Sequence, residues 1–308
     1  MSTLYLSHPC GLEHLVPEGH PERPDRLRAI ERAMEAEVFQ PLLREQAPMG
    51  EFDAIAEAHP QEYIRALEQA APSEGMVRID ADTAMSPGTW EAVMRAVGAA
   101  TYAVDEVMTG KVDNAFCAMR PPGHHAEEAR AMGFCLFNSA AIAALHARDK
   151  HGAERVAVID FDVHHGNGTQ DIFWNRPEMF YASTHQMPLF PGTGAANETG
   201  CGNICNAPLQ PGDDGVAFKD AMEVRILPAL KKHKPDLIII SAGFDAHERD
   251  PLANINLTEE DFAWVTRKLM DYADEQCEGR VVSVLEGGYD LMGLSLSVAA
   301  HVRALMGS

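Results

Sequence analysis

The chain has few basic residues, few cysteines and no long apolar runs, and each shortage argues against a class of function. It has 25 Lys and Arg against 46 Asp and Glu, a formal net charge of −21 with histidine neutral. Such a surface repels a nucleic-acid backbone, and no basic run offsets it, so we expect no nucleic-acid partner. Cationic partners would be attracted over a distance set by salt, although solubility or a saline habitat accounts for the charge equally well.

The six cysteines are too sparse for a disulfide framework and predict reduced thiols in a cytoplasm. Cys201 and Cys205 lie four residues apart, but a redox or zinc pair there would need further cysteines or nearby histidines, which we do not find. The N-terminal MSTLYLSHPC lacks a basic start and a long apolar core, so no signal peptide is expected. No apolar run approaches the ~20 residues of a membrane-spanning helix. We expect a soluble, cytoplasmic protein with no membrane partner; its oligomeric state stays open.

Strand-like and helix-like segments alternate along the 308 residues. Such alternation predicts an α/β fold with a mainly parallel central sheet and helices on both faces. No linker or repeat divides the chain, so we predict one domain over residues 1–308. The polar segment 72–87 is interpreted as turns, with Asp80 and Asp82 as solvated surface. The predicted strands are 3–6, 114–119, 156–161, 180–184, 237–241 and 281–285. The predicted helices are 23–36, 61–70, 89–108, 137–147, a short one near 170, 216–233, 258–277 and 291–306.

One stretch, VAVIDFDVHHGNGT at 156–169, places four ionisable side chains where a buried strand should end. Burying charge is costly unless the charge is paired or bound to metal. Residues two apart on a strand point the same way, so Asp160, Asp162 and His164 are expected on one face. Asp162 and His164 are then candidate metal ligands, with Asp160 as a third ligand or as a partner behind them. The alternative is that these charges cap a helix that begins near Asn167.

Polar side chains next to glycine follow four of the predicted strands. Open parallel sheets bind ligands at the carboxyl ends of their strands. Glycine also lets the backbone approach a ligand closely. Four such strand ends together indicate a single site. They carry GHH at 123–125, the Asp/His cluster at 160–165, GFD at 243–245 and EGGY at 286–289.

The residue types at these strand ends suit a metal-dependent hydrolase. Asp162, His164 and Asp245 would give zinc two carboxylates and one imidazole and leave a position open for water and substrate. Two anionic ligands nearly neutralise the metal, so a separate general base is needed. The adjacent His124 and His125 suit that role, one as the base and one tuned by a carboxylate.

Three further residues could complete the chemistry. Asp160, and more weakly Asn167, could hold the far ring nitrogens of the two histidines and fix their tautomers. Tyr289, after two glycines, could donate its hydroxyl to an oxyanion opposite the metal.

Seven segments resemble zinc-dependent deacetylases of the histone deacetylase superfamily. They occur in the same order as in that family and are spread over nearly the whole chain. That superfamily includes acetylpolyamine amidohydrolases and shares its fold with arginases. The resemblance implies a three-layer arginase/deacetylase-like α/β fold. The segments are HPERPDRL at 20–27, RPPGHHA at 120–126, GFCLFNSAAIAA at 133–144, IDFDVHHGNGT at 159–169, FPGTG at 190–194, SAGFDAH at 241–247 and LEGGYD at 285–290.

The resemblance implies a role for each candidate residue. It makes Asp162, His164 and Asp245 the ligands of zinc, for which iron(II) or cobalt(II) could substitute. Gly133 would offer its carbonyl to the scissile amide N–H, and Leu252 falls where a polyamine-selective relative carries glutamate. The other implied roles are the histidine pair at His124 and His125, the oxyanion-binding tyrosine at Tyr289, the aromatic channel walls at Phe134 and Phe190, and an internal-channel arginine at Arg26.

The resemblance also implies a structural potassium site beside the metal. Asp160 would both support His124 and bind this ion. The remaining ligands would be the Ser183 side chain and backbone carbonyls near Asp162, His164 and Thr184.

Together these roles predict an amidohydrolase that removes acetyl or other short acyl groups from acyl-lysine in proteins or peptides. Zinc and Tyr289 would polarise the amide carbonyl, while His125 would take a proton from the attacking water and then protonate the leaving amine. Asn167 stands where many members carry aspartate, so no second carboxylate is expected behind His125. The open alternatives are a deacetylase of acetylated polyamines or other small amides, a two-metal ureohydrolase, and a silent acyl-lysine binding module.

Overall fold

Apolar strand segments form an eight-stranded sheet in the computed structural model, which describes residues 1–307. All neighbouring strands of this sheet are parallel. Its order is β2-β1-β5-β10-β9-β6-β7-β8, and β3 and β4 form a separate antiparallel pair. The strands are β1 Thr3–Ser7, β2 Leu43–Gln46, β3 Val77–Arg78, β4 Ala84–Met85, β5 Asn114–Cys117, β6 Val156–Asp160, β7 Met179–Gln186, β8 Ile204–Leu209, β9 Leu237–Ala242 and β10 Val281–Leu285.

Ten α-helices lie among the described residues and cover both faces of the sheet. Successive strand residues point to opposite faces, so Val158 belongs to the core under α4 and α5, and Ile159 to the core under α1, α9 and α10. This arrangement confirms the predicted three-layer α/β fold. The helices are α1 Asp25–Met34, α2 Phe52–Ala56, α3 Gln61–Ala70, α4 Thr89–Met108, α5 Ser139–His151, α6 Asn167–Phe173, α7 Gly215–Ala221, α8 Leu227–His233, α9 Glu259–Gln276 and α10 Leu291–Leu305.

The predicted helix at 216–233 is divided in the structure. A π-helical turn at Met222–Ile226 joins α7 to α8. Pro228, near the start of α8, has no N–H to give to the carbonyl four residues earlier, which favours a wider turn at this point. The helical interpretation is therefore correct, but the regular spacing is broken by the proline.

The segment 72–87 is not only turns, because β3 and β4 pair across it. The prediction also missed β2 and β8, which form the two edges of the large sheet. All four side chains of β2 are exposed, so the strand lacks the apolar alternation that marks a buried one. Among the helices of residues 1–307, none combines the length and the hydropathy that a membrane-spanning segment needs.

Candidate active site

Four loops rich in polar residues leave the sheet side by side. β5, β10, β9 and β6 are neighbours in that order, and each precedes one of the four segments that the sequence indicates. Since these strands are parallel, their carboxyl ends lie at one edge. The sheet order therefore brings residues that are distant in sequence to a common point.

The residues after β6 do not continue the strand. β6 ends at Asp160, so the prediction that Asp160, Asp162 and His164 share one strand face is wrong. The chain instead turns, with the Asp160 carboxylate accepting the Asp162 N–H at 3.0 Å and the Asp162 carboxylate accepting the His164 N–H at 2.9 Å. Aspartate side chains commonly form turns in this way. The turn places Asp162 and His164 beside Asp245, with Asp160 behind them.

Three buried side chains, Asp162, His164 and Asp245, bring their ligand atoms together. His164 Nδ1 lies 3.1 Å from Asp162 Oδ1 and 3.0 Å from Asp245 Oδ2. Burial, together with the charge of Asp162, raises the pKa of Asp245 to about 7. Burial alone would lower the pKa of His164, but Asp245 and Asp162 raise it to about 10, so the two carboxylates favour a positive charge between them, which a metal cation could supply in place of the proton. This donor set fits a divalent metal ion with a position left for substrate.

Backbone groups hold the two carboxylates from behind. The Gly287 N–H donates to Asp162 Oδ2, and the Val163 N–H donates to Asp245 Oδ1, both at 2.8 Å. A Cβ added at Gly287 would overlap the Asp245 carboxylate, and one at Gly243 would overlap that of Asp162. Glycine is therefore required at both positions, and the carboxylates have a fixed orientation for an ion.

His124 lies against Asp160. Its Nδ1 is 2.9 Å from Asp160 Oδ2, which also accepts the Tyr181 hydroxyl at 3.0 Å. Glu286 accepts the N–H groups of Gly123 and His124 at 2.7 and 3.1 Å. Burial alone would lower the pKa of His124, but the surrounding carboxylates, Asp160 first, raise it well above its usual range. The protonated imidazole is therefore the favoured form of His124.

His125 has the opposite environment. Its Nδ1 lies 2.8 Å from Asn167 Oδ1, and Asn167 Nδ2 donates to Glu127 Oε1 at 2.8 Å. Because an ionised carboxylate only accepts, Glu127 fixes the orientation of the Asn167 amide. His125 Nδ1 then carries the hydrogen, and Nε2 keeps a free lone pair. Burial and the adjacent charge of His124 lower the pKa of His125 well below its usual value, so it is neutral.

The loop that carries Tyr289 is held by Asp250, which the sequence interpretation missed. Asp250 Oδ2 accepts the N–H groups of Tyr289 and Asp290 at 2.6 and 3.2 Å, and Oδ1 accepts that of Leu252 at 3.1 Å. Burial raises the pKa of Tyr289 well above its usual value, so the phenol keeps its proton. Leu252, the predicted substrate contact, is half-buried beside this loop.

A buried group of charges lies under the same loop. Arg26 donates to the Gly288 carbonyl at 2.7 Å, and its guanidinium carbon is 5.1 Å from the centre of the Tyr289 ring. Glu22 accepts from Arg26 at 2.9 Å and from Arg120 at 2.7 Å. Glu22 and Arg120 lie inside the family-like segments, but no residue pattern indicated that they would pair.

Two aromatic side chains flank the site. The Phe134 ring is 6.0 Å from that of Tyr289, and the Phe190 ring is 5.1 Å from that of His125, between ring centres. Phe190 is 41% exposed and therefore lies towards the rim. The two side chains predicted as channel walls thus lie beside different candidate residues, Phe134 beside Tyr289 and Phe190 beside His125.

Gly133 lies against the His125 ring, which a Cβ at this position would overlap. Its N–H donates to Asp82 Oδ1 at 3.1 Å, and the Thr83 hydroxyl accepts the Phe134 N–H at 3.0 Å. The interpretation of Asp82 as solvated surface is therefore wrong, since it is partly buried and accepts the Gly133 N–H. Its position in a polar loop gave no sign of this contact.

The residues of the predicted potassium site are close together. Ser183 is paired with Asp160 across β6 and β7, and Ser183 and Thr184 are both buried. Ser183 Oγ lies 2.9 Å from His185 Nδ1. The potassium site itself stays a prediction.

Comparisons with known proteins agree in family and fold. A family model described as the histone deacetylase domain matches residues 20–305. A histone deacetylase-like amidohydrolase of Pseudomonas aeruginosa is 38% identical over 94% of this chain and 77% of its own length. Histone deacetylase 10, chloroplastic, of Oryza sativa is 40% identical over 94% of this chain and 70% of its own.

A solved structure supports the same conclusion. The crystal structure of the HD domain of HDA15 matches with a TM-score of 0.95 and 35% identity over 100% of this chain and 90% of that one. Its similarity, together with the family match, confirms the arginase/deacetylase-like fold. The chain belongs to the histone deacetylase family of hydrolases, whose members are generally metal-dependent and act on acylated amines.

Proposed function

We propose that this chain is a zinc-dependent deacetylase that removes acetyl or another short acyl group from the side-chain amine of acyl-lysine in peptides or proteins. The observation that carries the proposal is the grouping of Asp162, His164 and Asp245 beside a neutral His125 and a protonated Tyr289. Together these residues would supply one set of metal ligands, one general base and one oxyanion donor at the carboxyl ends of neighbouring strands.

Zinc bound by the two carboxylates and the imidazole would act as a Lewis acid and lower the pKa of a nearby water. His125 Nε2, with its lone pair fixed by Asn167, accepts a proton from the attacking water. The same nitrogen then returns the proton to the leaving amine. The Tyr289 hydroxyl donates to the carbonyl oxygen as it becomes negatively charged.

His124 has a different task in this proposal. Asp160 holds it in the protonated form, so it is a poor base and a fixed positive charge beside His125. That charge helps to keep His125 neutral before it accepts a proton and stabilises negative charge on the substrate.

The residues that flank the site favour a narrow acyl-amine substrate. Phe134 and Phe190 would pack against an acyl-lysine side chain. The backbone carbonyl of Gly133 would accept a hydrogen bond from the N–H of the scissile amide. A polyamine would place a second ammonium near Leu252, which has no charge. The nearby Asp250 carboxylate is buried and is directed at the loop, where it accepts three N–H groups.

The remaining predictions belong to the same proposal. A single catalytic domain is supported by the large sheet, which uses strands from Thr3–Ser7 to Val281–Leu285. A structural potassium ion is supported by the neighbouring Asp160 and Ser183. A cytoplasmic location rests on the unpaired cysteines, whereas plant relatives are named chloroplastic.

The test measures acetate release from an acetyl-lysine peptide and from N-acetylputrescine on one zinc-loaded preparation. We expect a higher kcat/KM for the peptide and loss of activity in Asp245→Ala. Leu252→Glu is the matched variant, because it adds the missing charge and should raise relative activity on the polyamine. Faster turnover of N-acetylputrescine by the unmodified protein would refute the proposed substrate class.

A further inference from the structure

A second group of metal-ligand side chains lies on the helices, apart from the candidate active site. Asp105 is in the last turn of α4, while His146 and His151 are on α5. His146 Nε2 lies 2.8 Å and His151 Nε2 lies 2.6 Å from the same oxygen, Asp105 Oδ1. Two imidazole nitrogens and a carboxylate thus converge, with spacings similar to those of the catalytic ligands.

This group lies at the amino ends of the strands, on the side of the sheet opposite to the candidate active site. α4 leads into β5 and α5 leads into β6, and in such α/β units the helices run opposite to the parallel strands. The carboxyl ends of both helices therefore lie at the amino ends of the strands. α5 begins at Ser139, five residues after Phe134, and its 13 residues place His151 about 18 Å from that start along the helix axis at 1.5 Å per residue.

The electrostatics favour a cation at this position. The carbonyl groups at a helix carboxyl end carry partial negative charge, and two helices end here. Asp105 adds a full charge, and Glu51 lines the same cleft, where Lys150 is exposed to solvent. The cation would thus be held between two packed helices.

The surroundings leave room for an exchangeable ion. The side chains of His146 and His151 are 10% and 17% exposed, and that of Asp105 is 43% exposed. They open onto a cleft of about 450 Å³. Water could fill the remaining coordination positions from this cleft. Two imidazoles select a transition metal such as zinc or copper over magnesium or calcium, which prefer oxygen ligands.

We propose that Asp105, His146 and His151 form a second transition-metal site that links α4 to α5. It has one carboxylate where the catalytic group has two, and it is more exposed. His146 Nδ1 is buried without a hydrogen-bond partner, whereas bound histidines usually donate from their second nitrogen. The second site should therefore bind zinc more weakly than the catalytic one and lose it first to a chelator. This proposal is independent of the proposed substrate.

Zinc counting by equilibrium dialysis tests the proposal. We expect two zinc ions per chain in the unmodified protein and one in His151→Gln, which keeps its hydrolase activity. Asp105→Asn is a second variant with little change of shape and should also bind one. His233→Gln, which changes a histidine in the last turn of α8, is the control and should bind two.

Copper(II) gives an independent readout on protein already loaded with one zinc ion. Its electron paramagnetic resonance spectrum should show coupling to two nitrogen ligands, falling to one in His151→Gln. One zinc per chain in the unmodified protein at full activity would overturn the proposal. Glu91 belongs to another donor group, with His8 and Cys10. If Glu91→Gln lost the second zinc ion and His151→Gln kept it, the ion would be bound at that group and the proposal would be overturned.

Discussion

Asn167→Asp tests how the protein keeps His125 neutral. The amide oxygen accepts from His125 Nδ1 at 2.8 Å, and a carboxylate there would favour the protonated ring. An opposite charge at this range raises a pKa by about 1–3 units. Each unit corresponds to about 1.36 kcal/mol. Burial holds the pKa of His125 below 6.5, so the active neutral form is present above that pKa and is lost as pH falls through it.

The acidic limb of kcat/KM should therefore move up by about 1–3 pH units in the variant. The new carboxylate would also face Glu127, whose Oε1 lies 2.8 Å from Asn167 Nδ2. The measurement is thus best made in Asn167→Asp with Glu127→Gln, because the Gln amide can donate to the new carboxylate. Glu127→Gln alone is the control, and it should leave the pH of the acidic limb of kcat/KM unchanged.

The assay is the pH profile of acetate release from an acetyl-lysine peptide, with metal content measured at each pH. Metal counting separates titration of His125 from loss of the ion at low pH. An unmoved acidic limb in a folded, metal-loaded double variant would refute His125 as the base or Asn167 as its partner.

Four further outcomes follow from the same contacts. Tyr289→Phe should lower kcat by about 10²–10³ with metal retained, and unchanged kcat would exclude it as oxyanion donor. Chelation should abolish acetate release and lower Tm in calorimetry; an unchanged Tm would contradict a metal bound to the folded state. Gly287→Ala should weaken metal binding in a competition titration, because its Cβ would overlap the Asp245 carboxylate. Arg26→Met should reduce the unfolding free energy by about 1–3 kcal/mol in denaturant, because the buried Gly288 and Glu286 carbonyls lose their donor while Arg120 still pairs with Glu22; a cost under about 1 kcal/mol would contradict that.

The sheet and the position of the site could be predicted because both depend on local patterns. Buried central strands such as Leu237–Ala242 are continuous apolar runs, and glycine with polar residues marks where they end. The edge strand Leu43–Gln46 was missed because its residues are exposed and polar. A pattern of burial cannot identify a strand that is barely buried.

The supporting residues of the site could not be predicted. Asp82, Glu127 and Asp250 each act through one to three hydrogen bonds to a segment brought close by the fold. No spacing or composition distinguishes such a carboxylate from a solvated one. The ligand candidates, by contrast, lie within motifs whose residue types are unusual next to a buried strand. The strand-face argument for Asp162 and His164 used the wrong local geometry, because the strand ends before them.

We propose that one metal ion held by Asp162, His164 and Asp245 is needed for hydrolysis of an acyl-lysine amide. The most direct measurement titrates zinc into chelated protein and records acetate release from an acetyl-lysine peptide against zinc bound. We predict activity that rises with the first zinc ion per chain and is complete when that ion is bound. Full turnover by the metal-free protein, or by Asp245→Ala, would contradict the claim.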